Sequence, residues 1–136
     1  MGIISILFMS GIRCRYFDSL YVSDRTNTSL LSASWYVDSL RTAVGKDNVI
    51  LVDVGDFLQG DNAAYYYNYV DTTSKHLFAR MAEHMKYDAV IVGNHDVETG
   101  HAVYDRLGAQ MSVPLLAPNA IRTDKNTCNQ IGCYGW

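Results

Sequence analysis

Two prolines and three cysteines in 136 residues leave the chain few covalent or conformational locks. The cysteines, Cys14, Cys128 and Cys133, are odd in number and match no zinc-knuckle spacing, which argues against a fully paired disulfide framework and a small structural zinc site. An excess of positive charge is also missing. With 11 basic residues against 14 acidic ones and a net charge of -3, there is no electrostatic case for nucleic acid or a membrane surface as partner. Gly2 to Met9 is apolar but far shorter than the ~20 residues a membrane helix needs. It has neither the basic segment nor the small-residue cleavage site of a signal peptide. Internal repeats and domain linkers are absent, so a single domain at most is expected, and a hydrophobic content of 49% is enough to give it a core.

What is present is an alternation of strand-like and helix-like stretches. Ile3 to Met9 reads as a first strand and Ser10 to Asn27 as a loop. Thr28 or Ser29 can cap a helix in which Leu30, Ala33, Val37, Leu40 and Val44 recur at helical intervals, with Gly45 as its stop. Val49 to Val54 reads as a second strand, interrupted in character only by Asp53. The Tyr65-Tyr66-Tyr67-Asn68-Tyr69 cluster has no clear period; it could stack on a base or sugar, but covering the sheet is the preferred reading. Thr72, Thr73 or Ser74 caps a second helix with Leu77, Phe78, Met81, Ala82 and Met85 on one face and His76 and His84 as packed or solvent-facing histidines. A strand at Ala89 to Val92, a helix at Thr99 to Met111 and a strand at Val113 to Ala117 complete the order. Strands alternating with helices predict an α/β fold with a mostly parallel sheet, flanking helices and right-handed crossovers.

The chain is organised around Asp88 to Glu98, where a β-branched run stops at Gly93 and is followed by Asn94, His95, Asp96 and Glu98. Such a run is expected to be buried on both faces, and the polar residues fall just beyond its carboxyl end, where open α/β sheets keep their ligands. The preceding strand repeats the arrangement, ending in Gly55-Asp56. A carboxylate such as Asp56 can bridge two divalent cations ~3.5 to 4 Å apart, which would activate water for in-line phosphoryl displacement. Asn94 can add an amide oxygen. His95 is then placed to act on the phosphoryl group, its imidazole oriented by a carboxylate from Asp96 or Glu98.

Gly55-Asp56-Phe57-Leu58-Gln59-Gly60 together with Gly93-Asn94-His95-Asp96-Val97-Glu98-Thr99-Gly100 resembles the calcineurin-like metallophosphoesterases. The branch it most resembles contains bacterial 5'-nucleotidases and 2',3'-cyclic-nucleotide 2'-phosphodiesterases. The likeness implies the first half of a four-layer α/β/β/α sandwich, with a partial domain at 1–121 and a divergent tail at 122–136. It implies a hydrolase of small phosphate esters or nucleotides using two divalent ions, manganese, iron, zinc or magnesium, and export to the periplasm or cell surface. By the same resemblance, Asp56 and Asn94 bind metal, Asn94 and His95 contact phosphate, and His95 is the catalytic histidine. Its acidic partner falls on Glu98, with Asp96 the other candidate, and Gln59 lies behind the ligands.

The departures are as informative. Where the family's first strand ends in an Asp-x-His pair of metal ligands, this chain has Gly11-Ile12-Arg13. Arg13 would put positive charge where a cation should sit, and could instead hold a phosphate as a bidentate donor. The family's later histidine, its Gly-His-x-His motif and the nucleoside-gripping C-terminal domain have no counterpart among these residues. The expectation is an N-terminal part of the catalytic domain, inactive alone, whose match ends near Arg122 as a truncation or frameshift would make it end.

Overall fold

The computed structural model describes residues 4–13, 15–18 and 29–117. The expected tail at 122–136 and much of the first loop lie outside the described residues. Four strands, β1 (Ser5–Met9), β2 (Val49–Asp53), β3 (Ala89–Ile91) and β4 (Leu115–Leu116), form one parallel sheet in sequence order. Between them run α1 (Leu30–Val44), α2 (Asn62–Tyr65), a π-helical turn (Tyr66–Val70), α3 (Leu77–Met85), α4 (Asn94–Val97) and α5 (His101–Gln110). This is the α/β architecture the alternation predicts.

A strand order of 1-2-3-4 has a consequence for the layers. Every crossover steps the same way, so right-handedness sends every crossover helix to the same side. Leu30 and Val37 of α1, Phe78, Ala82 and Met85 of α3, and Val103 and Leu107 of α5 accordingly share one core cluster with Leu51, Val90 and Leu115 of the sheet. The other face carries the alternate residues. Ile4, Ile6 and Phe8 are 64%, 53% and 69% exposed, and Ile50 lies exposed beside them. Parallel sheets are ordinarily covered on both faces, and this one is apolar on both but covered, among the described residues, on one. Among those residues no helix is long and apolar enough to cross a membrane.

Individual elements refine the sequence reading. Ser29 is the α1 cap, its Oγ accepting the Ser32 N–H at 3.1 Å, and Gly45 ends the helix at φ 92°. The buried stripe is Leu30, Ser34, Val37 and Arg41, however, so Leu40 and Val44 are not its innermost residues. Arg41 is drawn inward because its guanidinium donates to the carbonyls of Met85 (2.6 Å) and Lys86 (2.9 Å), satisfying the C-terminal end of α3.

The cap of α3 is also corrected. It is His76, not Thr72, Thr73 or Ser74: its Nδ1 accepts the Phe78 N–H at 3.1 Å while Nε2 meets Asn68 Oδ1 at 3.0 Å. Those partners require a neutral ring protonated on Nε2. Burial, with the Arg106 charge second, lowers its pKa to about 4. The tyrosine cluster does not cover the sheet, since Tyr65, Tyr66 and Tyr69 are exposed and the segment buries Ala64 and Asn68 instead.

The open sheet face gives a direct test. The folded chain is expected to bind a hydrophobic dye such as ANS, and the pair Ile6→Lys with Phe8→Lys to reduce that fluorescence by about half or more without altering far-UV circular dichroism. Undiminished fluorescence would show that the dye binds elsewhere.

Candidate active site

The site is built where the tips of β1, β2 and β3 are pressed together. Gly55 (φ 107°) turns the chain after β2, and a Cβ there would lie 2.6 Å from the backbone of Gly93. A Cβ on Gly93 would in turn come within 2.3 Å of Asp56 Oδ1. The two motifs read from the sequence are therefore in contact through their glycines, which is why neither tolerates a side chain. Asp56 adopts a left-handed backbone, φ 65°, unusual for a residue with a Cβ.

Asp96 holds that conformation. It is fully buried, and its Oδ2 accepts the N–H groups of Asp56 and Gly93 at 2.8 Å each. Its Oδ1 accepts those of Phe57 and Leu58, also at 2.8 Å. Burial pushes the Asp96 carboxyl up, against the four N–H donors that favour its ionised form. In return the His95 N–H donates to Asp56 Oδ1 at 3.2 Å. The β1 tip joins through Gly11 N–H to Gly55 O and Arg13 N–H to Asp56 O, both 3.1 Å. Gly60 lets Arg13 pass, since a Cβ there would sit 2.3 Å from the Arg13 carbonyl oxygen.

These contacts enclose a pocket of about 90 Å³ lined by Arg13, Asp56, Gln59, Gly60 and His95. His95 Nδ1 meets Glu98 Oε2 at 3.0 Å, and the bond to His95 holds the Glu98 carboxyl below the usual range. Gln59 Nε2 donates to the same oxygen at 3.3 Å. Of the two acids considered for the imidazole, Glu98 is thus the one in contact, whereas Asp96 lies beneath the tips with its oxygens on backbone N–H groups. Asn94 is exposed and does not line the pocket. The structural role of Asp96 had a readable signal: it sits three residues after Gly93, the spacing at which a side chain reaches back to the N–H that precedes a helical turn.

The donor set does not fit a two-metal centre. Among the described residues no group of three or more histidine, cysteine or carboxylate side chains could hold a metal ion, and Arg13 stands in the pocket beside Asp56. What the arrangement offers is a guanidinium, an imidazole fixed by a carboxylate, a carboxamide and the Asp56 carboxylate around one small cavity.

Comparison with solved structures places this geometry. The chain has the calcineurin-like phosphoesterase fold, and its structural neighbours are phosphoesterases and nucleotidases. It is similar to the calcineurin-like phosphoesterase YfkN of Bacillus subtilis, with 26% identity and a TM-score of 0.72 over 83% of this chain and 36% of that one. A Staphylococcus aureus protein assigned as a 5'-nucleotidase matches with 23% identity and a TM-score of 0.77, over 89% of this chain and 24% of that one. The NAD nucleotidase of Haemophilus influenzae matches with 16% identity and a TM-score of 0.68, over 92% and 22%. The chain therefore spans between 22% and 36% of the length of these structures. No protein-family model matches the sequence, and neither does any curated protein.

Asp53, at the root of the β2 tip, yields a pH test. It is fully buried, and burial pushes its pKa from 3.8 to about 7, with the Gly55 N–H on its Oδ1 at 3.0 Å pulling the other way. The folded state then resists ionisation that the unfolded chain accepts, so this group's contribution to stability declines as pH rises from about 4 to about 7 and levels off above. His76 acts oppositely, destabilising the fold as pH falls from 6.5 through about 4. Asp53→Asn retains an acceptor for the Gly55 N–H and removes the ionisation. Its urea midpoint is expected to exceed that of the parent at pH 8, with the advantage shrinking toward pH 4. A variant weaker than the parent at pH 8 would show that the carboxylate itself is required.

Proposed function

We propose that this chain is the N-terminal part of a phosphoesterase acting on nucleotides or related small phosphate esters, and that by itself it holds the phosphoryl group without hydrolysing it. The observation that carries this is the pocket lined by Arg13 and by His95, whose imidazole is bonded to Glu98, at the ends of parallel strands with the calcineurin-like phosphoesterase fold. Arg13 supplies forked donors for phosphate oxygens. Glu98, on Nδ1, fixes the imidazole so that Nε2 is left to face the ligand. Gln59 and exposed Asn94 offer further amide contacts. Asp56 and Asn94 are the donors this chain would contribute to a divalent-metal site, and the Arg13 guanidinium stands where the resemblance places the metal ligands it lacks.

Two measurements test the reading. The purified chain, supplied with manganese, zinc or magnesium, is expected to show no turnover of a nucleoside monophosphate above the metal blank. Calorimetric titration with inorganic phosphate in chelator is expected to show binding that weakens about tenfold in Arg13→Ala. Metal-dependent hydrolysis that disappears in His95→Ala would overturn the inactive reading, and phosphate binding indifferent to Arg13→Ala would overturn the binding one.

A further inference from the structure

Beside the pocket at the strand tips lies a larger one of about 370 Å³, with Gln59 and Gly60 as the wall between them. Two tyrosine rings and one carboxylate line it. Tyr65 and Tyr69 stand one helical turn apart, 63% and 49% exposed, with ring centroids 5.2 Å apart at an interplanar angle of 55°. Rings inclined in this way form a corner rather than a stack, so the electron-rich faces are not used up on one another. Among the described residues that line the pocket, Asp61 is the one charged side chain. Arg13 lines the neighbouring pocket and not this one.

The corner is fixed before any ligand arrives. Asn68, between the two rings in sequence, is buried; its amide donates to the Leu58 carbonyl at 2.8 Å, and its Oδ1 meets His76 Nε2 at 3.0 Å. The Tyr69 hydroxyl donates to the Thr99 carbonyl at 3.4 Å and so holds the outer end of that ring. Arg106 donates to the carbonyls of Tyr67 and Asn68, at 2.5 and 3.2 Å, gripping the π-helical turn itself. Asp61 caps α2 through one oxygen, Oδ1, which accepts the Ala63 N–H at 3.4 Å, and the residue is half-buried. A ligand therefore meets a surface already ordered, which lowers the entropy cost of binding.

We infer that this pocket binds an organic cation of the alkylammonium class, a quaternary ammonium such as choline being the chemistry that fits. A neutral ligand would gain from the tyrosines but not from the charge of Asp61, and an anion would be repelled by it. An ammonium gains from both. Ring faces attract a cation through their quadrupole, most usefully one whose charge is spread under methyl groups, and the carboxylate beside them offsets that charge. Neither the two rings nor Asp61 takes part in holding phosphate, so this site and the phosphate pocket stand or fall separately.

Titration of the full chain at constant ionic strength, followed by the tyrosine ring-proton resonances, tests the site with two probes: choline chloride, and neohexyl alcohol, the neutral molecule in which carbon replaces choline's nitrogen. Choline is expected to shift the Tyr65 and Tyr69 resonances and to bind about fivefold tighter than the alcohol. Asp61→Asn keeps a capping side chain on α2, and is expected to weaken choline about threefold while leaving the alcohol unchanged. Tyr65→Leu with Tyr69→Leu is expected to erase the preference for choline, and Tyr65→Phe with Tyr69→Phe to keep it. Equal affinity for the two probes overturns the inference, as does a preference that survives the leucine pair. Choline affinity indifferent to Asp61→Asn overturns the part given to the carboxylate. Should the leucine pair fail to fold, the ratio of the two affinities in the parent and in Asp61→Asn still decides between the outcomes.

Discussion

Four backbone N–H groups from two separate strand tips converge on the Asp96 carboxylate, and the geometry of everything above it follows from that convergence. Leaving a buried N–H unpaired costs about 1–3 kcal/mol, so losing the four bonds together would cost more than the ~1–3 kcal/mol of holding Asp56 in a left-handed conformation. The Asp56 side chain is thereby aimed into the pocket and its carbonyl left to receive the Arg13 N–H. The glycines at 55 and 93 serve the same end, since the carboxylate can bridge the two tips only if the backbones approach within the reach of a missing Cβ.

The one-way strand order acts at a longer range. Because all the crossover helices lie on a single face, the strand tips of β1, β2 and β3 emerge side by side with nothing from those helices crossing above them. Among the described residues the same order leaves the opposite face uncovered, and covering a side chain the size of Phe8 or Ile6 would contribute about 1.5–3 kcal/mol. Among the described residues the site thus sits on a sheet packed on one face, and its parts are tied together by hydrogen bonds at the tips.

The sheet, its parallel sense and the two glycine-marked strand tips were legible in the sequence because each depends on local signals: an apolar run, a glycine, then polar groups. Ser29 and Gly45 as helix ends were legible for the same reason. The misreadings share a different cause. Arg41 is not part of the apolar stripe read for α1, and becomes buried because it reaches two carbonyls more than forty positions away. His76 displaced three better capping residues because Asn68 and the α3 backbone together satisfy both ring nitrogens. The tyrosines read as sheet cover because a cluster of large rings normally belongs in a core; the small and amide residues between them, Ala64 and Asn68, took the inward positions instead.

At Arg13 the backbone and the side chain have separate roles. The backbone at that position is held by its own N–H on Asp56 and by the room Gly60 leaves, and neither contact depends on the side chain's charge. The side chain is therefore free to change the electrostatics alone. Without it, Asp56 would be the one acidic side chain lining the pocket, with Glu98 behind it on His95, a field that favours cations over anions. A guanidinium beside Asp56 offsets one of those charges permanently, since it does not deprotonate in a protein. The guanidinium makes the pocket lining less negative, while the His95–Glu98 pair and the backbone tie on Asp96 are independent of it.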